Sequence, residues 1–339
     1  MTDVQKKILA ACQRVKTTMD NHPFPCLYPG CGEASIGSHS QQRGGALKWI
    51  EHEGCVCAVR RNNLATFIEG FTKGEVQLGI KPQKLADVTT FPGFCNSHDT
   101  ALFLGIEQPG GLTPNCPSQA LALHLRATSY VFAMQRNQLN WLVGMYDSLP
   151  RYLWNKYFYL QEKDMMNWGI MLPYDKLNYI DPCFSDDAVE LIEWVWRVIP
   201  ENLGVSCATC IPPLEDEEAD QIVGELINYE SRTMRGPRPL VSLSVVPERE
   251  RTHIVMVWNK CIEKYVREYA QFASSNDPQV FQGWLNDAIF NRSEDFTLSP
   301  SLWESLDEDK KTRIESLIMP EHLRKGMDVP LVLSINQVA

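Results

Sequence analysis

Cys26 and Cys31 bracket Leu-Tyr-Pro-Gly, and Cys95-Asn-Ser-His98 follows only after a long interval. Nothing else in the chain limits its folding as strongly. One ion held by both pairs would pin two remote segments together, and the metal's binding energy would then be folding energy. The Pro-Gly turn lets two thiolates face one ion, while Cys95 and His98 stand at the start of an expected helix. A turn-borne pair plus a helix-start pair gives Cys26, Cys31, Cys95 and His98 as a closed Cys₃His tetrahedral zinc site. The same residues also admit a plainer reading, as unrelated buried side chains. Cys55 and Cys57 share one face of an expected strand, as reserve ligands or as core filling.

The eleven cysteines accompany no secretory signal, because the first twenty residues alternate charged and apolar positions in helical fashion. Reduced thiols or metal ligands are therefore expected rather than disulfides. No run of about 18 apolar residues predicts a membrane span, and a cytoplasmic protein is expected. The net charge of −10 offers no general attraction to a polyanion, so any nucleic-acid role needs a local basic patch.

Hydrophobic periodicity predicts a helix over Val4 to Thr18, and short strands at CVCAVRRNN and EVQLGI. Residues 109 to 119 read as a turn-rich linker. Helices are predicted over Gln119 to Asp147 and Arg151 to Met166. Strands are predicted at 189–199, 203–211, 239–247 and 252–260, the last two forming an antiparallel hairpin across Pro247 to Arg251. Helices at 260–274, 277–289 and 301–318 follow, the last started by Ser299-Pro300, and the tail VPLVLSI reads as an edge strand. The expected fold class is α+β, with a small treble-clef-like zinc module, a helical middle, and a C-terminal mixed or antiparallel sheet with helices. The expected division is 1–108, 109–185 and 186–339.

Between the two ligand pairs runs IGSHSQQRGGALKWIEH. With its Ser38-His39, Gly44-Gly45 and Cys95-Asn-Ser-His98-Asp99, the stretch from 26 to about 107 resembles the HNH nucleases. That family carries zinc pairs around a catalytic core. Its first motif is Asp-His followed by a Gly-Gly loop, and its second zinc pair is followed at once by a metal-binding histidine. Here Ser38 replaces the usual aspartate and Asp99 replaces the last histidine. The resemblance implies His39 as general base on a water attacking a phosphodiester. It implies Asp99 as ligand of a catalytic Mg²⁺ or Mn²⁺, since hard cations prefer carboxylate oxygen. A middle asparagine, Asn62 or Asn63 (Asn63 taken for the site), would orient the His39 loop. Arg43, Arg60 and Arg61 would form the local basic patch that meets nucleic-acid phosphates. The residues alone also allow a non-catalytic reading. In it His39 is satisfied under a glycine turn, Asp99 caps a helix beginning near Thr100, and the arginines are solvated.

Three longer blocks, FCNSHDTALFLGIE, SLSVVPERERTHIVMVW and SEDFTLSPSLWESL, resemble an uncharacterised group of bacterial proteins, which brings no activity with it. By analogy, zinc-module HNH-like proteins imply a context of defence against phage or foreign DNA. Two functions are carried forward. One is a metal-dependent nuclease acting on DNA or RNA. The other is a non-catalytic structural-zinc protein that binds a protein partner through its C-terminal domain. Among weaker signals, Cys207-Ala-Thr-Cys210 lies in a strand, where residues three apart face opposite ways, so buried structural cysteines are expected. The acidic run Glu215 to Glu218 reads as a solvated helix start, and Trp194 and Trp196 as packing residues.

Overall fold

The computed structural model describes residues 1–61, 64–74, 78–108, 111–293, 295–318, 331–333 and 335. Helix α1 (Asp3–Asp20) is started by a reciprocal capping box. Gln5 N–H donates to the Thr2 hydroxyl, and Thr2 N–H donates to the Gln5 side chain. Then come β1 (Gly37–His39), β2 (Cys55–Arg61), α2 (Leu64–Lys73), β3 (Leu78–Lys84), β4 (Thr90–Pro92) and α3 (Asn96–Glu107). The helical middle holds α4 (Pro117–Ser148), α5 (Arg151–Tyr157) and α6 (Leu160–Asp175). Beyond it lie β5 (Ile192–Ile199), β6 (Val205–Ile211), α7 (Asp216–Leu226), β7 (Ile227–Asn228), β8 (Thr233–Met234), β9 (Val241–Pro247) and β10 (Thr252–Asn259). The described elements end with α8 (Glu263–Ala273), α9 (Pro278–Phe290), β11 (Phe296–Leu298), α10 (Pro300–Ser305) and α11 (Glu308–Leu317).

A seven-stranded sheet in the order β3-β2-β11-β6-β9-β10-β5 organises the molecule, and every neighbouring pair is antiparallel. Its short strand β11 joins two stretches distant in sequence, because Leu298 pairs with Cys57 on one side and Val205 on the other. Strands from residues 1–108 and from 186–339 thus share one sheet. Both faces are covered, so β10 reads as a nearly continuous apolar run, whereas β6 and β9 bury Ser206, Thr209, Ser242 and Ser244 between their apolar residues. One face sends Leu243, Val245, Ile254 and Met256 against Val266, Phe281, Trp284 and Leu285 of α8 and α9. On the other, α4 packs across β6, β9 and β10. Fully burying each such aliphatic or aromatic side chain contributes about 1.5–3 kcal/mol, and this sheet is where most of them gather. A second core joins α1, α2, α5 and the end of α4 around Trp154, Leu142, Met145 and Phe158.

The fold class is α+β, with a helical middle and a C-terminal antiparallel sheet. The β9–β10 hairpin forms as predicted, running from Thr252 opposite Pro247 to Val257 opposite Ser242. Three local expectations fail for identifiable reasons. The helix predicted over 301–318 divides, because Asp307 takes the Lys310 N–H and caps a separate α11. The helix predicted from Arg151 to Met166 breaks at Phe158, which leaves helical geometry at φ −127°. The described tail residues, Leu331 to Leu333 and Ile335, lie in no strand. The Asn286 side chain accepts from Val332 and Leu333 N–H and donates to Leu333 C=O, supplying pairing that a neighbouring strand would otherwise give. Among the described residues no helix is long and apolar enough to cross a membrane.

Candidate metal centre

Tyr28-Pro29-Gly30-Cys31 closes a tight turn through Cys31 N–H to Tyr28 C=O at 3.1 Å. Gly30 sits at φ +74°, a left-handed conformation that glycine adopts without strain. The turn lies on the ladder that joins Pro25 to Ala34, with Cys26 N–H bonded to Glu33 C=O. Leu27 N–H reaches Gly93 C=O at 3.0 Å and Cys95 N–H reaches the Cys26 sulfur at 3.2 Å, so the turn is seated on the approach to α3. Cys95 is the N-cap of α3 and His98 lies in its first turn.

The ligand atoms of Cys26, Cys31, Cys95 and His98 all lie within 4.8 Å of one another. His98 Nδ1 stands 3.1 Å from the Cys95 sulfur and 3.6 Å from the Cys26 sulfur. A tetrahedral zinc with bonds of about 2.0–2.3 Å keeps its ligand atoms roughly 3.5–3.8 Å apart. Donor set, spacing and partial burial therefore all suit zinc. The Tyr28 ring stacks on His98 at 3.9 Å with 5° between planes, fixing the imidazole. The Ser97 hydroxyl and then the His98 N–H hydrogen-bond to Cys95, which holds its thiol down at about 6 and favours the thiolate a metal needs. Cys55 and Cys57 stay out of the cluster. Cys57 fills the core under the sheet, with burial pushing its thiol up to about 11.

Beside this centre, β1 pairs with β4 so that His39 opposes Thr90. His39 is half-buried, with Nδ1 3.4 Å from the Thr89 hydroxyl. Burial lowers its pKa below the ordinary value, and so do the charges of Arg43 and Arg126. A hydrogen bond to the Val88 backbone and the charge of Asp99 act the other way. His39 thus feels the charges of Arg43, Arg126 and Asp99, the last most weakly. Asp99 is not the cap of a helix beginning at Thr100, since α3 starts at Asn96. Asp99 lies one turn inside, and its buried Oδ1 has no hydrogen-bond partner among the described residues. Arg60 and Arg61 lie on β2 in the large sheet, not in the β1–β4 pair. Their side chains, like Asn62 and Asn63 altogether, fall outside the described residues.

Sequence reasoning overlooked Arg126, Ser40, Gln41, Asp295 and Thr89 here. Arg126, from α4, is buried with its guanidinium 4.2 Å over the Phe103 ring and paired to Glu107. It lines a cavity of about 20 Å³ with Ser40 and Gln41, which is room for one water. Asp295 accepts from the Ser40 hydroxyl at 2.6 Å, while Gln41 bonds Asp295 C=O and the Thr297 hydroxyl. Thr89 takes φ +59°, costly for a β-branched residue, and its carbonyl accepts from Ser40 N–H. No short-range spacing announces any of them; the one local signal is a serine on each side of His39.

The pair Cys207 and Cys210 is not a second metal half-site. Cys207 lies in the core under α8 and α9, whereas Cys210 borders Asp175 and Arg238 on the opposite face. Glu215 caps α7, so the acidic run is a helix start. Compared with protein-family models, curated proteins and solved structures, the chain matches none.

Proposed function

We propose that this chain is an HNH-like, zinc-stabilised nuclease that hydrolyses phosphodiesters with the help of a divalent cation. The observation that supports the reading is the hydrogen bond of Phe94 N–H to the Ser38 hydroxyl, which ties the strand ending at His39 to the start of α3, where Asp99 lies, with the Asp99 charge a minor influence on His39. Burial and the charge of Arg43 lower the pKa of His39, which favours the neutral ring with one nitrogen free of a proton. That nitrogen is the acceptor for the proton of an attacking water. Asp99 offers a carboxylate oxygen with no hydrogen-bond partner among the described residues, the kind of ligand Mg²⁺ or Mn²⁺ prefers. When bound, such a cation would supply stabilisation of charge developing on the phosphoryl oxygens. Arg43, exposed and close enough to influence His39, stands ready to meet a phosphate.

One observation favours the non-catalytic alternative, a structural-zinc protein serving a protein partner. Ser38 is buried with its hydroxyl taken by Phe94 N–H, so no carboxylate precedes His39. Cleavage assays on labelled DNA and RNA with Mg²⁺ or Mn²⁺ separate the two. Wild type should cleave, and His39→Ala and Asp99→Ala should each lose about 10²-fold or more of the rate. Equal cleavage by His39→Ala would end the nuclease reading. Because His39 is depressed, the acid limb of the rate profile should fall below the ordinary histidine value of about 6.5.

A further inference from the structure

The large sheet ends in β3 on one side and β5 on the other, and the two edges are built differently. An edge strand presents unpaired N–H and C=O groups, which another chain can extend unless something blunts them. On β3, Pro82 lacks a donor and Lys81 and Lys84 put charge along the strand. The Glu315 side chain also accepts the Ile80 N–H at 3.0 Å. β5 has no such protection. Its sequence, Ile-Glu-Trp-Val-Trp-Arg-Val-Ile, contains no proline, glycine or lysine, and it pairs with β10 without a bulge from Ile192 to Ile199. Among the described residues β10 is the only strand that pairs with it, and its outer backbone groups have no other partner.

Exposure along β5 follows from that position. β10, one strand further in, buries every residue but Asn259, whereas on β5 Trp194, Val195, Arg197 and Val198 are half-buried and Glu193 is exposed. Side chains alternate between the faces. Glu193, Val195 and Arg197 therefore lie on the side of α8 and α9, and Ile192, Trp194, Trp196 and Val198 on the side of α4. The two charges are only half met. Arg197 reaches neutral oxygens alone, those of Ser274, Ser275 and Asn276 at 3.4 or 3.5 Å, and its buried Nε has no partner among the described residues. Glu193 meets Lys260 at 3.5 Å, with both side chains about half exposed.

We propose that β5 pairs antiparallel with β5 of a second copy of this chain, across a two-fold axis that passes through Val195 perpendicular to the sheet. In that register Glu193 of each copy faces Arg197 of the other, Trp194 faces Trp196, and Val195 faces Val195. The strand is thus complementary to itself, as a two-fold interface requires, and its charged and aromatic cross-strand pairs each form twice. Shifting the register by two residues sets Glu193 against Val195 or Ile199 and loses both ion pairs. The flanking acids Glu190 and Glu201 lie outside the paired stretch. Because the axis is perpendicular to the sheet, the α8 and α9 layers of both copies fall on one side and the α4 layers on the other, so the two sheets continue as one. A foreign strand has the same backbone groups to pair with, but the second copy also supplies an arginine for each Glu193 and a glutamate for each Arg197. The inference is independent of the nuclease reading.

The test is analytical ultracentrifugation of the full chain over a dilution series, with hydrogen exchange read on the same samples. Wild type should sediment at twice the mass of the chain. Amides within residues 192–199 should lose protection whenever the dimer is dissociated, by dilution or by substitution, while those of β3 stay unchanged. Glu193→Arg and Arg197→Glu each set like charges opposite one another twice, and each should weaken dimerisation about ten-fold or more. Mixed in equal amounts, the two variants should dimerise with nearly wild-type strength, since every reversed charge then meets its opposite. Unchanged thermal unfolding would confirm that each variant folds. If Arg197→Glu does not, the exposed Glu193→Arg and the exchange of wild type decide the matter. A monomer at every concentration, dimerisation indifferent to Glu193→Arg, no rescue on mixing two folded variants, or dimer-dependent protection away from β5 would each overturn the proposal. So would a monomer that takes up a strand of another protein at β5.

Discussion

Asp295 holds a buried carboxyl directly behind the segment that follows His39, and burial raises its pKa from the usual carboxylate range to about 6. The folded state therefore grips the proton more tightly than the unfolded chain does. Stability from this group is greatest at low pH, declines as pH rises through 4 to 6, and stays low above. A rise from 3.8 to about 6 corresponds to about 3 kcal/mol. Asp295→Asn keeps an acceptor for the Ser40 hydroxyl without the charge. Urea unfolding should show this variant more stable than wild type at pH 7.5 by up to that amount, with the gap closing near pH 4. A variant less stable than wild type at pH 7.5 alone would show that ionised Asp295 is required by its partners. Thr89, at φ +59°, is the second strained feature beside His39. Thr89→Gly should hold or raise stability by about 1 kcal/mol, since glycine adopts that conformation freely. It should nonetheless lower any His39-dependent cleavage by releasing the contact at Nδ1. His39 and Asp99 are visible in the sequence because their neighbours form a local motif. Thr89, Arg126 and Asp295 are not, because each acts on the His39 segment from about 50 to more than 250 residues away.

At the scale of elements, the Cys₃His cluster has more to hold than its size suggests. β1 and β4 have three residues each, too short to persist as an isolated pair in water. What fixes them is the turn at Tyr28–Cys31, the start of α3, and Arg136 of α4, which donates to Pro92 C=O while stacking over Phe24. The four ligands are legible because residue type and short spacing are enough to mark a turn-borne pair and a helix-start pair. The start of α3 is harder to read and falls about four residues before Thr100, since Cys95 caps it without a side-chain hydrogen bond and so lacks the usual polar signal. Metal analysis should find about one zinc per chain. Cys95→Ser, or a strong chelator, should lower the unfolding midpoint by several degrees. Hydrogen exchange should rise first around residues 26–36 and 90–100, while β9 and β10 stay protected. Loss of zinc with no change in either measurement would mean that the ion is not structural.

Across the whole molecule, α4 is the common partner. It touches α1, α3 and α6, lies on β6, β9 and β10, and carries His124 to the Ser242 hydroxyl at 2.8 Å. The alternation of helices and strands is readable from apolar periodicity, but the sheet order is not. Nothing local says that β2 should pair with β11, since that ladder joins residues more than 200 positions apart. One buried ion pair ties the helical middle to the segment before β9. Arg238 meets Asp175 of α6 through Nε at 3.0 and 3.1 Å and a terminal nitrogen at 2.6 Å, and it also donates to Gln135 of α4 at 2.8 Å. Removing one partner leaves the other charge buried and alone, at a cost of about 3–5 kcal/mol. Asp175→Ala should therefore destabilise strongly, as measured by urea unfolding. The double change Asp175→Leu with Arg238→Leu removes both charges and refills part of the space, and should recover most of the loss. If the shared sheet and α4 couple the chain throughout, far-UV circular dichroism and tryptophan fluorescence should give one coincident transition in both variants. Two separated transitions in Asp175→Ala would show instead that this pair is what joins the helical middle to the sheet.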